Sequence, residues 1–198
     1  MSEIARLVER ARACTVCERS QPPLPQEARP IIYGTPRSKV RIISQAPGTR
    51  AHAKGLPFYD PSGVRLREWL GVTEATFYDP DNFAITPMGL CFPGLDAKGG
   101  DLPPREECAP LWQDDVTRAL PSVELTLLVG MYAQKRYLGS GMRRTLTDTV
   151  RDWEAYGPDV LPLPHPSWRN NAWLKTHDWF PAVIAHLRDR ISQLIVRI

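Results

Sequence analysis

Val40-Arg41-Ile42-Ile43-Ser44-Gln45-Ala46-Pro47-Gly48 is the stretch that decides how this chain folds. Its β-branched residues give 40–44 (VRIIS) strand character, and the Gln-Ala-Pro-Gly that follows is a turn signal. Working outward, three more apolar runs read as strands: residues 82–88 (NFAITPM), 125–130 (LTLLVG) and 160–164 (VLPLP). Helical patterns separate them. Residues 61–70 (PSGVRLREWL) place Val64, Leu66, Trp69 and Leu70 around one side. Residues 104–120 open on proline and carry Cys108, residues 132–138 form a shorter helix, and residues 179–196 a long amphipathic one. An N-terminal helix begins at Ser2 as N-cap, with Ile4, Leu7, Val8 and Ala11 as its apolar positions. Strands alternating with helices imply parallel pairing, right-handed crossovers and helices on both faces of the sheet. The expected fold is therefore α/β: a three-layer α/β/α domain spanning 1–198, with a central, mostly parallel four-stranded sheet. In such folds ligands bind outside the carboxyl ends of the strands. That rule directs attention to the Gln45–Gly48 turn, to the segment after Ile85-Thr86-Pro87, and to His165-Pro166-Ser167.

Composition narrows the function classes. The 198 residues are 42% hydrophobic and 24% charged, the balance of a globular protein with one sizeable core. Twenty prolines fall mostly in connecting segments and stiffen them. A net charge of +3 permits nucleic-acid binding without arguing for it, because phosphate contacts depend on local clusters. No apolar run approaches the ~20 residues of a membrane helix. The first residues, MSEIARLVERARAC, alternate charge and lack an apolar signal core, so a cytoplasmic location is expected.

Cys14 and Cys17 form a C-x-x-C pair after the first helix, and Cys91 and Cys108 form a second, wider pair. In a reducing compartment four cysteines favour metal binding over disulfides. Four thiolates suit zinc or an iron–sulfur cluster equally, and spacing alone does not separate the two. A redox C-x-x-C usually opens a helix after a strand. This one follows a helix and leads into Gln21-Pro22-Pro23-Leu24-Pro25.

Two motifs sit at predicted strand ends, Gln45-Ala46-Pro47-Gly48 and His165-Pro166-Ser167, and Pro57-Phe58-Tyr59-Asp60-Pro61-Ser62-Gly63 comes about ten residues after the first. Each alone reads as an ordinary turn, core aromatic or structural histidine. Their order, combined with the cysteines, resembles the uracil-DNA glycosylase superfamily, and most closely its iron–sulfur branch. That branch has an N-terminal C-x-x-C, a G-E-x-P-G-like first motif, a P-F about a dozen residues on, an I-T-N strand leading to a third cysteine, a fourth in the next helix, and a final H-P-S. Here these elements are Cys14/Cys17, Ser44–Gly48, Pro57-Phe58, the AITPMGLC segment ending at Cys91, Cys108 and His165-Pro166-Ser167, covering most of the chain.

The resemblance implies a monofunctional DNA repair glycosylase that flips uracil out of DNA and hydrolyses it to leave an abasic site. It also implies a [4Fe–4S] cluster on Cys14, Cys17, Cys91 and Cys108, and a monomer whose partner is single- or double-stranded uracil-containing DNA. A flipped base is read in a pocket. Phe58, beside Tyr59, takes the place of the aromatic that stacks on it, and stacking is worth roughly 1–3 kcal/mol per base. His165 matches the histidine that hydrogen-bonds the uracil carbonyl, where negative charge appears on the leaving group. Backbone amides near Gln45 and Ala46 supply a second donor. Trp168 or Arg169, in the loop after H-P-S, is the expected wedge into the minor groove.

The chain departs from that pattern in three places. Gln45 stands where the branch has glutamate, and an amide cannot act as a general base. Asp60 is the expected replacement, its alternative being an Asx-type cap on the following helix; His52 is a weaker candidate. Pro87 stands where the branch has the asparagine that reads uracil, and proline offers neither side-chain donor nor acceptor. Base reading then falls to Gln45, Asn170, Asn171 or backbone groups, or the preferred base is another deaminated one, hypoxanthine or xanthine. Third, residues 94–104 (GLDAKGGDLPP) form a Gly-rich insert, expected as a solvated loop whose Lys98 is its candidate DNA contact. Candidates for a basic DNA face are Arg50, Lys54, Arg65, Arg67, Arg143, Arg144, Arg169 and Lys175. The missing glutamate also leaves a non-catalytic damage-binding protein as a reading, and the cysteines alone leave zinc or electron transfer.

Overall fold

The structure, a computed structural model, describes residues 3–195; the expected Ser2 cap and the last residue of the expected C-terminal helix lie outside them. Four strands, β1 (Val40–Ile43), β2 (Phe83–Ile85), β3 (Leu125–Val129) and β4 (Val160–Leu163), form one sheet in the order β2-β1-β3-β4. All the pairings are parallel, with Ile42 opposite Ile85 on one side and Leu127 on the other. The chain leaves β1 toward β2, then crosses back to build β3 and β4 on the opposite side. The carboxyl ends of β1 and β3 therefore flank the point where strand order reverses, the place where such sheets open a crevice.

Alternation along β1 assigns the layers. Val40 and Ile42 join a core with Leu66 and Leu70 of α3 (Pro61–Leu70) and with Val183, Leu187 and Ile191 of α9 (Phe180–Leu194). Ile43 points the other way, to Leu128 and to Ala133 of α6 (Met131–Leu138). On that second face α1 (Glu3–Arg12) packs Ile4, Leu7 and Ala11 against Trp112 and Val116 of α5 (Cys108–Arg118). Helices cover both faces, giving the three-layer α/β/α arrangement.

Some details differ from the sequence reading, each for a local reason. Val64 is 49% exposed; at 3.6 residues per turn the buried stripe of α3 runs through Gly63, Leu66 and Leu70, and Val64 lies off it. The helix expected from residue 104 starts at Cys108, because the prolines before it hold that stretch extended. Short helices α2 (Thr49–Lys54), α4 (Glu74–Phe77), α7 (Leu146–Arg151) and α8 (Asn171–Thr176) carry four to six residues each, too few for apolar periodicity to register in the sequence. Thr73 and Thr145 start two of them by accepting the backbone N–H of Thr76 and Asp148.

Arg41 is 3% exposed in the middle of β1 and faces α5. Its guanidinium donates to Thr86 Oγ1 (2.8 Å), Thr117 Oγ1 (2.6 Å) and Gln113 Oε1 (2.7 Å) and lies over the Tyr137 ring. Gln113 in turn donates through Nε2 to the carbonyl of Pro87 (2.8 Å). A buried charge thereby fixes the backbone just beyond β2, at the edge of the crevice.

Candidate active site

The crevice beyond β1 and β3 is a cavity of about 500 Å³, within the range of small-ligand sites. The turn after β1 contributes Ser44 through Gly48, the turn before α3 contributes Phe58 and Asp60, the end of β2 contributes Pro87, and the loop after β4 contributes His165, Trp168, Arg169 and Asn170. All three sequence motifs meet in one place.

Phe58 is 7% exposed and adopts a positive φ of 54°, a conformation that costs a non-glycine residue energy and that persists where its surroundings impose it. The imposing neighbour is α3. Gly63 packs so closely on the Phe58 backbone that a Cβ there would overlap the Phe58 carbonyl. Edge contact with Phe77, centroids 6.4 Å apart, fixes the other side of the ring. The His165 ring lies 6.5 Å from the Phe58 ring, within 28° of parallel. A planar base stacked on Phe58 would thus lie near-parallel to the His165 ring. Burial holds the His165 imidazole below its ordinary value of 6.5, opposed by the negative charge of Asp60. Its neutral form therefore predominates at neutral pH, and one ring N–H remains to donate.

Asp60 caps α3: its Oδ1 accepts the backbone N–H of Gly63 at 2.9 Å. The carboxylate expected to handle water is thus also the helix cap, and it lines the cavity with one oxygen committed. Gln45 and Ala46 line the cavity, and the Gln45 carbonyl accepts from Gly89 at 2.8 Å. Asn170 lines it too, while its amide donates to the His165 carbonyl at 2.6 Å and so holds the histidine loop in place. Asn171 and Tyr59 stand outside the lining. Arg65 takes Asn171 Oδ1 at 2.7 Å, and Tyr59, 45% exposed, lies under Lys54. His52, the weaker candidate base, packs on Phe92 away from the cavity. Trp168 is not core: it is 68% exposed at the rim, beside Arg169.

The expected basic face divides in two. Arg65 donates to the carbonyl of Ser167 at 2.9 Å, Arg67 pairs with Glu74 at 2.9 Å, and Arg143 pairs with Asp152 at 2.9 Å. These three hold protein to protein. Arg50 and Arg169 line the cavity.

The Gly-rich insert is largely exposed, as expected of a solvated loop, but it is ordered rather than irregular. Residues 94–102 fold back as a small hairpin, with Leu95 paired to Asp101 and the Asp96 carboxylate accepting from the backbone of Lys98 and Gly100. The hairpin delivers Gly99 and Asp101 to the cavity wall. Asp101 is the residue that sequence reasoning missed; Asp96 followed by Gly99-Gly100 signalled a turn, but nothing local says where its tip lands.

The four cysteines line a second, small cavity between α1, the Pro-rich connector and α5. Among the described residues no three His, Cys, Asp or Glu side chains stand close enough to hold a single metal ion. A tetrahedral zinc site would draw its sulfurs within about 4 Å of one another, whereas a four-iron cluster takes one thiolate per iron and spreads them. Burial pushes the Cys91 and Cys108 thiols up to about 12, assisted for Cys91 by the neighbouring sulfurs, and burial raises Cys17 as well. Such thiols ionise only against a strong local cation. The backbone N–H of Leu90 donates to Cys108 Sγ at 3.2 Å. The four-thiol donor set and this N–H···S contact are of the kind that suits an iron–sulfur cluster.

Comparison with known proteins adds two findings. The model of the family described as the Uracil DNA glycosylase superfamily matches residues 31–188. A solution NMR structure of a candidate uracil DNA glycosylase from Methanosarcina acetivorans is similar with a TM-score of 0.48 and 13% sequence identity, over 82% of this chain and 98% of that one.

Proposed function

The chain belongs to the uracil DNA glycosylase superfamily, and from that premise we propose that it flips uracil out of DNA and hydrolyses its glycosidic bond, leaving an abasic site. The observation that carries this reading is the pairing of Phe58 and His165 in one cavity at the strand ends, with near-parallel rings 6.5 Å apart. The base stacks on Phe58. As the C1′–N1 bond breaks, electrons move onto the uracil ring, and the neutral His165 donates to the carbonyl where that charge gathers. Backbone amides of the Gln45-Ala46 turn border the same space. The deoxyribose, which becomes cationic, lies at the mouth beside the Asp60 carboxylate. Trp168 stands exposed at the rim, placed to fill the gap that the flipped nucleotide leaves in the duplex. DNA is then the partner, with Arg50 and Arg169 available to phosphates.

Cys14, Cys17, Cys91 and Cys108 would hold a [4Fe–4S] cluster, which when bound would supply the charge that ionises the thiols. These residues come from the end of α1, the segment after β2 and the start of α5, so ligation would tie the N-terminal segment to the wall of the fold.

The base edge favours Gln45 as reader. Pro87 has no side-chain donor, and its carbonyl already accepts from Gln113, whereas the Gln45 amide both donates and accepts. The same observation motivates a second reading, excision of hypoxanthine or xanthine. Base release from single- and double-stranded oligonucleotides carrying one uracil, with hypoxanthine and xanthine in parallel, tests both by alkali-labile cleavage. Release of uracil supports the first reading. Release of only the purines replaces it with the second, and DNA binding with no release from any of them replaces both with damage recognition.

A further inference from the structure

Resting on base excision as read above, we propose that Asp101, carried into the cavity by the hairpin between Cys91 and Cys108, is the carboxylate that takes the proton of the attacking water. The hairpin is a built structure. Asp96 N–H donates to the Gly100 carbonyl at 2.7 Å, Leu102 N–H to the Gly94 carbonyl at 2.9 Å, and Gly99 takes the left-handed turn position at φ 75°. Its closing residue, Asp101, lays its carboxylate on the first-motif turn: the two oxygens lie 3.3 and 3.6 Å from where a Cβ on Gly48 would sit. Glycine at 48 leaves that space, and the carboxylate fills it.

Depth in the cavity assigns the role. Phe58 is buried and receives the base, whereas Asp101 is exposed at the mouth, on the side where the sugar and the incoming water must lie. Asp60, across the mouth, has one oxygen held by Gly63. Among the described residues no hydrogen bond engages the Asp101 carboxylate, so both of its oxygens remain to accept. Gln45 cannot do this work, being an amide. The surroundings of Asp101 suit a base. Although the residue is exposed overall, its carboxyl is partly sheltered against the cavity wall, which raises its pKa most. The negative charges of Asp60, at the head of α3, and Asp96, within the hairpin, add to this, and Arg169 opposes them, so the carboxyl titrates above its ordinary value. Arg50 and His165 line the same cavity. A carboxylate with raised pKa is a better proton acceptor near neutrality.

The step balances as a hydrolysis. The water oxygen bonds to C1′ while the C1′–N1 bond breaks and its electron pair leaves on the base. The water proton passes to Asp101, and from there to the anionic base or to solvent. Asp60, held in place by its cap, faces the sugar cation.

Single-turnover base release from uracil-containing DNA as a function of pH tests this role in the wild type, Asp101→Asn and Asp101→Glu. The wild-type rate is expected to rise with pH as Asp101 ionises and then level off. Asp101→Asn is expected to lose about 100-fold or more and to lose that rising limb, while Asp101→Glu keeps the limb. Binding provides a readout independent of turnover: Asp101→Asn should weaken affinity for DNA carrying a cationic pyrrolidine in place of the sugar and leave affinity for a neutral tetrahydrofuran site unchanged. Thermal melting of Asp101→Asn at or above the wild-type temperature certifies the fold. Wild-type protein that releases base while Asp101→Asn matches its rate and its pH limb overturns the role of Asp101 alone. Wild-type protein that releases no base overturns excision, and this role with it.

Discussion

Gly63→Ala moves the stacking platform without changing any side chain that meets the substrate. A Cβ at position 63 would overlap the Phe58 carbonyl oxygen and lie 2.8 Å from its carbonyl carbon and 2.9 Å from its Cβ. Carbon atoms in ordinary contact sit about 3.5–4.0 Å apart, so the Phe58 backbone must retreat by about 1 Å. Phe58 has little slack, since its φ is already at 54° and its ring is wedged against Phe77. Two effects follow. Overpacking of this kind destabilises by about 1–3 kcal/mol. A displacement near 1 Å in a positioning residue costs about 100-fold in rate. Thermal melts and single-turnover base release measure the two separately, with Gly141→Ala as control, because a Cβ there meets nothing within 4 Å. A Gly63→Ala protein that melts and reacts like the control refutes the claim that this glycine exists to admit the Phe58 backbone.

Four further predictions come from the site and the core. His165→Ala should slow base release about 100-fold by removing one donor to the leaving group, and wild-type rates in that variant would remove His165 from the chemistry. The same residue shapes stability: burial depresses its folded pKa below 6.5, so the unfolded chain binds more protons as the pH falls. Its contribution is fully present above pH 6.5 and is lost as the pH falls through the folded value. Melts across this range should show the wild type losing stability more steeply than His165→Gln, and parallel curves would contradict the burial argument. The purified protein should be brown, with absorption near 400 nm and about four irons per chain if the cluster is complete, and Cys91→Ser should lose both; a colourless protein containing zinc would exclude the cluster. Finally, Arg41→Met should destabilise the fold by about 1–3 kcal/mol, because Gln113, Thr86 and Thr117 lose a buried donor together. A denaturation midpoint equal to wild type would show that those groups re-pair among themselves.

Short-range patterns carried the architecture. Apolar runs at residues 40–44 and 125–130, with helical stretches between them, specify parallel strands under two helical layers, because burial on both sheet faces demands apolar runs rather than alternation. Strand ends then locate the site, since parallel strands all point their carboxyl ends the same way, and so Gln45 and His165 were legible from the strand pattern, whereas Phe58 was legible only through the resemblance to the family. What a local pattern cannot encode is which loops meet. Asn170 and Asn171 are neighbours in sequence, yet one holds the His165 carbonyl and the other is held by Arg65. Asp60 reads both as a cap and as a candidate carboxylate, and the fold makes it the cap while leaving it in the cavity lining. The hairpin carrying Asp101 shows the limit most clearly: its turn follows from Asp96 and two glycines, but its landing on Gly48 depends on β1 and β2 lying side by side. Contacts between residues fifty apart are set by sheet order and packing, which only the folded chain decides.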